Sequence, residues 1–238
     1  MRRFVMLVAA LAVTGCVEAT TEKPAEKDSV PPPVPVSAFA ASNNSKIQDF
    51  LAVVRRMEPV ARRECRRRAI TAKCNFTILI DNRKKQPANA FQALDDKDQP
   101  VIVFTRALIQ ETRNQDELAF VLGHEVAHHI LEHISKTRDS ALEGFLVGGL
   151  QAAVKGGDAK AIERAEQRSA FIGIRKYSKQ YELEADALGT VITAHSGYNP
   201  LRGAQYFHRI PDPGDKYLGS HPPNAKRLQV VRQAVSKL

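Results

Sequence analysis

Gly123-His124-Glu125-Val126-Ala127-His128 carries the pattern H-E-x-x-H inside an apolar stretch of helical period. On a helix, residues four apart project from one face, one turn apart. Two imidazole nitrogens so placed reach one zinc ion at about 2.0–2.1 Å. Glu125 follows the first histidine and stands beside the metal, where it can take a proton from a zinc-bound water. The pentad also arises by chance in a chain with 7 histidines, so the surroundings decide. Asn114 is an N-cap residue and Glu117, three residues on, its capping-box partner. Leu118, Val121, Leu122, Val126, Ile130 and Ile134 then recur at helical spacing, which sets the histidines at the edge of the buried stripe.

A catalytic zinc takes three protein ligands and keeps one position open for water. The third ligand is sought on a second helix. Ser169 to His195 has the required period in Phe171, Ile174, Tyr181, Ala185, Leu188 and Ile192, and Gly197 lies just beyond its end as a C-terminal cap. Within it sits Glu182-Leu183-Glu184-Ala185-Asp186, with Glu182 and Asp186 one turn apart on one face. Glu182 as ligand and Asp186 as the carboxylate that orients a ligand histidine fit the chemistry, since such histidines need a partner on their second nitrogen. By chemistry alone Glu184 also qualifies as the ligand. Tyr177, Tyr181 and Arg175 are polar groups available for substrate; His129, His133, His195 and His208 read as structural or surface histidines.

Upstream, three short strands precede the motif helix: residues 75–81, with Phe76, Ile78 and Ile80 alternating, 90–94 and 101–105, the last two separated by the turn Asp95-Asp96-Lys97-Asp98. An exposed sheet edge can hold a polypeptide substrate in extended form. A helix begins near Lys46, with Ile47, Phe50, Leu51, Val54, Met57 and Val60 on one face; Pro59 is expected to kink or split it. Its arginines from Arg55 to Arg68 form either a solvated face or a surface attracted to anionic membrane groups. Residues 141–157 hold five glycines among apolar residues and read as a loosely helical lid or packing segment, or as a membrane-facing or gating one. They are too short to span a bilayer. Residues 224–238 form a last helix.

The 238 residues, 43% hydrophobic, make one domain or at most two, and the net charge is +9. That charge would raise nucleic acid as a partner, but the N-terminus argues for export. Arg2 and Arg3 precede the apolar run Phe4–Val13, and Leu11-Ala12-Val13-Thr14-Gly15-Cys16 resembles a bacterial lipobox. Residues 1–16 are thus expected to be a lipoprotein signal, with Cys16 lipidated. Val at 17 points to outer-membrane attachment facing the periplasm. Residues 17–45, rich in Pro and Ala, are expected to form a disordered tether, and residues 46–238 the functional domain. No nucleic acid is expected as a partner of an exported chain. Cys65 and Cys74, the remaining pair, suggest a disulfide in that compartment; two buried thiols are the alternative.

Gly-His-Glu-Val-Ala-His followed by Glu-Leu-Glu-Ala-Asp resembles the zinc metallopeptidase family that includes HtpX, the periplasmic protease BepA and the CAAX prenyl endopeptidases. Asn89-Ala90-Phe91, Val101–Thr105 and Ser220-His221-Pro222-Pro223 also match its patterns, over about residues 46–238. The resemblance implies an α+β, mainly α-helical, gluzincin-like domain with a small sheet and the site between the two motif helices. It implies one Zn2+ held by His124, His128 and Glu182, with Asp186 behind them and Glu125 as the catalytic base. It places His221 near the metal, where it steadies the oxyanion or fills the fourth position; capping the final helix is its structural alternative. The implied activity is that of a metalloendopeptidase acting on envelope proteins, with protein or peptide substrates, a membrane anchor and contact with envelope assembly machinery. The rival is a zinc-binding chaperone-like lipoprotein with little proteolysis.

Overall fold

Asn44 ends an extended segment and starts the first long helix: its Oδ1 accepts a hydrogen bond from the Ile47 amide at 3.1 Å. This helix, α1, runs Ser45–Arg68. Its period of apolar residues buries Ile47, Phe50, Met57, Ala61 and Cys65 almost completely. Each large side chain withdrawn from water this way contributes about 1.5–3 kcal/mol. Pro59 neither splits nor ends α1. The buried stripe on both sides of it holds the helix to the core, which outweighs the one backbone hydrogen bond a proline removes. Glu64, fully buried on the same helix, meets Arg67, Arg68 and His195.

The computed structural model describes residues 32–69 and 71–238. The expected signal segment 1–16, Cys16 and residues 17–31 of the expected tether lie outside the described residues. Residues 32–44, counted with the tether, do not follow that expectation. Val34–Pro35 forms strand β1, antiparallel to β2 (Thr77–Asp81), and a short 3-10 turn, Val36–Phe39, packs Val36 and Phe39 against the core. These apolar side chains gain more by burial than an extended proline-rich chain gains in water.

The sheet is completed by β3 (Ala90–Leu94) and β4 (Pro100–Thr105), in the order β1-β2-β4-β3. β2 and β4 are parallel and the other pairs antiparallel, so the domain is α+β with a small mixed sheet. The β3–β4 hairpin turns where expected. Asp95 Oδ1 accepts from the amides of Lys97 and Gln99 at 2.8 Å each, and Asp98 takes the left-handed conformation that Asp tolerates. Phe104 of β4 meets Phe50 of α1, ring centroids 4.6 Å apart, and this joins sheet to helix in the core.

After α2 (Arg106–Glu111) comes the motif helix α3, Gln115–Ile130. Asn114 caps it, accepting from the Glu117 amide at 3.1 Å. Glu117 reaches back one residue further than a capping box requires, to the Arg113 amide at 2.8 Å, because Arg209 also holds its carboxylate at 2.6–2.7 Å. The chain turns at Glu132, left-handed with φ 57°, and starts α4, His133–Val154. An antiparallel return, α5 (Ala159–Lys176), makes an αα-hairpin with it. The glycine-rich segment is therefore regular helix. A Cβ at Gly144 would lie 2.3 Å from the Ser169 carbonyl oxygen, and one at Gly173 2.0 Å from that of Ser140, so the two backbones touch only because these positions lack one.

The helix expected from Ser169 to His195 is two helices. α5 ends at Lys176, Tyr177 breaks the run with φ −111° and ψ 0°, and α6 spans Ser178–His195. The two halves share a hydrophobic period but not a partner. α5 lies on α4 and α6 lies on α3, and one straight rod cannot follow both. α7 (Pro200–Gly203), a 3-10 turn (Ala204–His208) and α8 (Asn224–Val235) close the domain.

Candidate metal centre

α3 and α6 cross at glycines. A Cβ at Gly189 would lie 2.8 Å from the His124 amide nitrogen, and one at Gly123 would lie 2.8 Å from the Gly189 carbonyl oxygen. This close approach brings the H-E-x-x-H face of α3 onto the acidic face of α6. His124 Nε2 and His128 Nε2 stand 3.0 Å apart. Glu182 Oε1 is 3.2 Å from His128 Nε2, and its Oε2 is 3.7 Å from His124 Nε2. Among the described residues, these three form the group of side chains able to hold one metal ion. Ligands at about 2.0–2.1 Å around a tetrahedral ion stand about 3.3 Å from one another, which is the spacing seen.

Each of the three candidate ligands has a supporting partner. His124 Nδ1 donates to Asp186 Oδ1 at 2.9 Å. Asp186 is fully buried, and Arg227 of α8 holds it with two hydrogen bonds of 2.7 Å. The same guanidinium stands 3.5 Å from Glu182 Oε2 and 4.0 Å above the centre of the Phe207 ring. Burial pushes the Asp186 carboxyl up, but the Arg227 charge and hydrogen bonds, with those of His124, hold it below the usual carboxylate range. Glu182 is held well below that range: burial opposes ionisation, and hydrogen bonds from His128 and His221 with the His124 and Arg227 charges outweigh it.

His128 is supported by a second histidine. Its Nδ1 lies 2.8 Å from His133 Nδ1, and His133 Nε2 lies 3.2 Å from Glu184 Oε2. Burial first, then the neighbouring His128 charge, pushes the His133 pKa down to about 4. His133 is thus neutral near pH 7, donates Nε2–H to Glu184, and leaves Nδ1 to accept from His128. Tyr181 stacks on the His133 ring, centroids 4.4 Å apart. Burial works against charge on His128, yet its hydrogen bond with Glu182 and the charges of Glu125, Glu182 and Asp186 raise its pKa. Three carboxylates against one guanidinium make this a place that attracts a cation.

The centre lies in a cleft of about 870 Å3. Glu125 lines it beside His124 and His128, and the outer edge of β3, at Ala90–Gln92, forms one wall. His221, half-exposed, lies in the same cleft and donates Nδ1–H to Glu182 Oε2 at 2.9 Å. Its contact is with the ligand carboxylate, while Pro223 takes the N-cap position of α8. Glu184, the other acid available on α6, is turned to His133. Cys65 and Cys74 form a disulfide, Cα atoms 5.6 Å apart, near the end of α1. His129 contacts the Lys73 carbonyl oxygen at 2.7 Å, and His195 contacts Glu64 at 3.2 Å, both away from the metal group. Sequence reasoning passed over His133 and Arg227. For Arg227 a signal existed: it shares the buried stripe of α8 with Asn224, Leu228 and Val231, and a charge on such a stripe needs a partner.

A mitochondrial metalloendopeptidase of Arabidopsis thaliana, OMA1, is 26% identical over 138 residues, 56% of this chain and 27% of its own length. Beta-barrel assembly-enhancing proteases are also similar: that of Yersinia pestis is 24% identical over 150 residues and that of Escherichia coli 24% over 154 residues, each match covering 58% of this chain and 31% of the relative. The chain thus spans less than a third of the length of each of these relatives. The model of Peptidase family M48 matches residues 50–235, from α1 to the end of α8. That match takes in both motif helices and every residue of the metal centre, and the chain belongs to this metallopeptidase family.

Proposed function

We propose that the chain is a zinc-dependent endopeptidase of the bacterial cell envelope. It would be held at the outer membrane by acyl chains on Cys16 and would hydrolyse protein or peptide substrates in quality control. The observation that carries this is the convergence of His124, His128 and Glu182 beside Glu125 in one open cleft. Two imidazoles and one carboxylate are the donor set of a hydrolytic zinc site, and the surplus of carboxylates suits a dication. A site kept only for structure has no use for Glu125. The relatives named for beta-barrel assembly support an envelope setting and contact with assembly machinery there.

A zinc ion held by His124, His128 and Glu182 would supply Lewis acidity there, activating a water and polarising the scissile carbonyl. Glu125 takes the proton from the attacking water and passes it to the leaving amine. Asp186 and His133 fix the rings of His124 and His128 so that Nε2 of each faces Glu182. His221 stands where it can meet the developing oxyanion or close the site. The test is metal analysis of the purified protein with casein cleavage by wild type, Glu125→Gln and His221→Ala. Stoichiometric zinc in all three and no cleavage by Glu125→Gln are expected; absence of zinc, or full activity of Glu125→Gln, refutes the assignment. A hyperactive His221→Ala marks an inhibitory histidine, and a dead one marks a catalytic histidine.

A further inference from the structure

From Gly144 to Val154 helix α4 carries no charged residue, yet it is not buried. Leu146, Leu150 and Val154 are 59%, 67% and 79% exposed, and Val147 is 48% exposed. A helix with no polar face normally sits in a core or a bilayer. At 100° per residue, Val147, Val154, Leu150 and Leu146 fall within about 100° of arc. Gln151 and Lys155 lie next to them on the side toward α5. There the hairpin holds a groove lined by Lys155, Arg164 and Arg168, with Gln151 and Ser169, and by no acidic residue. Among the described residues, none of these three cations forms a salt bridge. An apolar ridge thus runs beside a groove of free positive charge.

We infer that the α4–α5 hairpin docks on an anionic phospholipid surface: the charge-free half of α4 enters the interface between headgroups and acyl chains, and the groove of Lys155, Arg164 and Arg168 takes lipid phosphate. The pairing of ridge and groove selects this occupant. A second protein copy would satisfy the leucines, but this chain is itself basic, +9 overall, and would be repelled by the groove. The hairpin is not a span, since no described helix is long and apolar enough to cross a membrane. The inference stands apart from the peptidase reading but bears on it. Thr137 and Ala141 at the base of α4 line the cleft, and Val154 is about 20 Å further along the helix axis. Docking therefore sets the mouth of the cleft close above the bilayer, where polypeptide lying at the membrane surface can enter.

The experiment uses the full chain with Cys16→Ser, which carries no acyl group. Cys65 and Cys74 are bonded to each other, so Leu150→Cys provides the free thiol for an environment-sensitive dye. In phosphatidylethanolamine–phosphatidylglycerol vesicles the dye emission should shift to the blue and be quenched by brominated acyl chains. Each basic residue near an anionic surface strengthens partitioning about fivefold, so Lys155→Gln, Arg164→Gln and Arg168→Gln together should raise the lipid needed for half the shift on the order of a hundredfold. All four positions are exposed or at the hairpin tip, and circular dichroism checks that the helices persist. The inference is overturned if the dye stays in water while the N-terminal segment floats the protein with the vesicles. It is equally overturned if the shift occurs without lipid and grows with protein concentration, which would mean a second copy covers the ridge. Equal partitioning of the triple variant would remove the groove from the account.

Discussion

Replacing Arg227 by Met should unsettle the metal centre without touching a ligand. The guanidinium is nearly buried and makes two hydrogen bonds of 2.7 Å to Asp186, itself fully buried. Met fills similar volume but leaves Asp186 with its charge and only the His124 N–H. Hydrogen bonds to charged groups contribute about 1.5–3 kcal/mol each. Breaking a buried ion pair by removing one partner costs about 3–5 kcal/mol, because the remaining charge is stranded. A domain of this size has roughly 5–15 kcal/mol in all, so about a fifth or more of the stability is at stake. Urea unfolding in the presence of chelator measures this without any contribution from bound metal. Zinc affinity, measured by competition with a chromophoric chelator, should fall 10–100-fold because His124 loses its fixed orientation. Adding Asp186→Asn to Arg227→Met should return part of the stability but not the affinity, since the stranded charge is gone while His124 remains unsupported. A single variant within about 0.5 kcal/mol of wild type, as surface changes usually are, with unchanged zinc affinity, refutes the argument.

Three further outcomes follow from the geometry. His133→Phe keeps the stack on Tyr181 but removes the acceptor for His128 Nδ1, so zinc affinity should drop about 10–100-fold while the far-ultraviolet spectrum is unchanged. Cys65→Ala with Cys74→Ala opens a loop of nine-residue separation and should lower unfolding free energy by about 2–3 kcal/mol, read from urea midpoints. Burial opposes ionisation of Glu64, but hydrogen bonds from Arg68 and His195 and the Arg68 and Arg67 charges hold its pKa below the ordinary value of 4.5. Its stabilisation is therefore complete above that ordinary value and is lost as pH falls through the lowered one. Melting temperatures of Glu64→Gln against pH should run flatter on the acid side than those of wild type.

Much of the metal centre could be read from spacing, because α-helix geometry fixes what four residues apart means. The i, i+4 pair His124–His128 needed only the helix that its cap and apolar period announce, whereas spacing on the second helix left Glu182 and Glu184 both open and the family resemblance chose Glu182. Strands β3 and β4 were legible for the same local reason, with Asp95 as turn residue. What escaped is what depends on partners. β1 is two residues of a proline-rich stretch and exists only because β2 offers it an edge. The glycines of α4 cost helix stability locally, about 1 kcal/mol each relative to Ala, and their compensation is the backbone of α5, which no local pattern displays. The break at Tyr177 is hidden because a hydrophobic period can run unchanged through a change of packing partner. His133 lies five residues after His128, off the helical repeat, and returns to it only through the left-handed turn at Glu132.

Strand β1 has a further consequence for how the sheet behaves towards other chains. It covers the C-terminal half of the β2 flank, at Leu79 and Ile80, with a segment that includes Pro35, which has no N–H to offer a newcomer. Lateral growth of the sheet, the route by which exposed strands recruit one another into aggregates, is therefore obstructed where β1 lies, at Leu79 and Ile80. The opposite flank, β3, opens into the cleft. That cleft is also lined by Glu125, so under the proposed peptidase reading a foreign strand that adds along β3 would lie beside the hydrolytic centre, where association and disposal share one place.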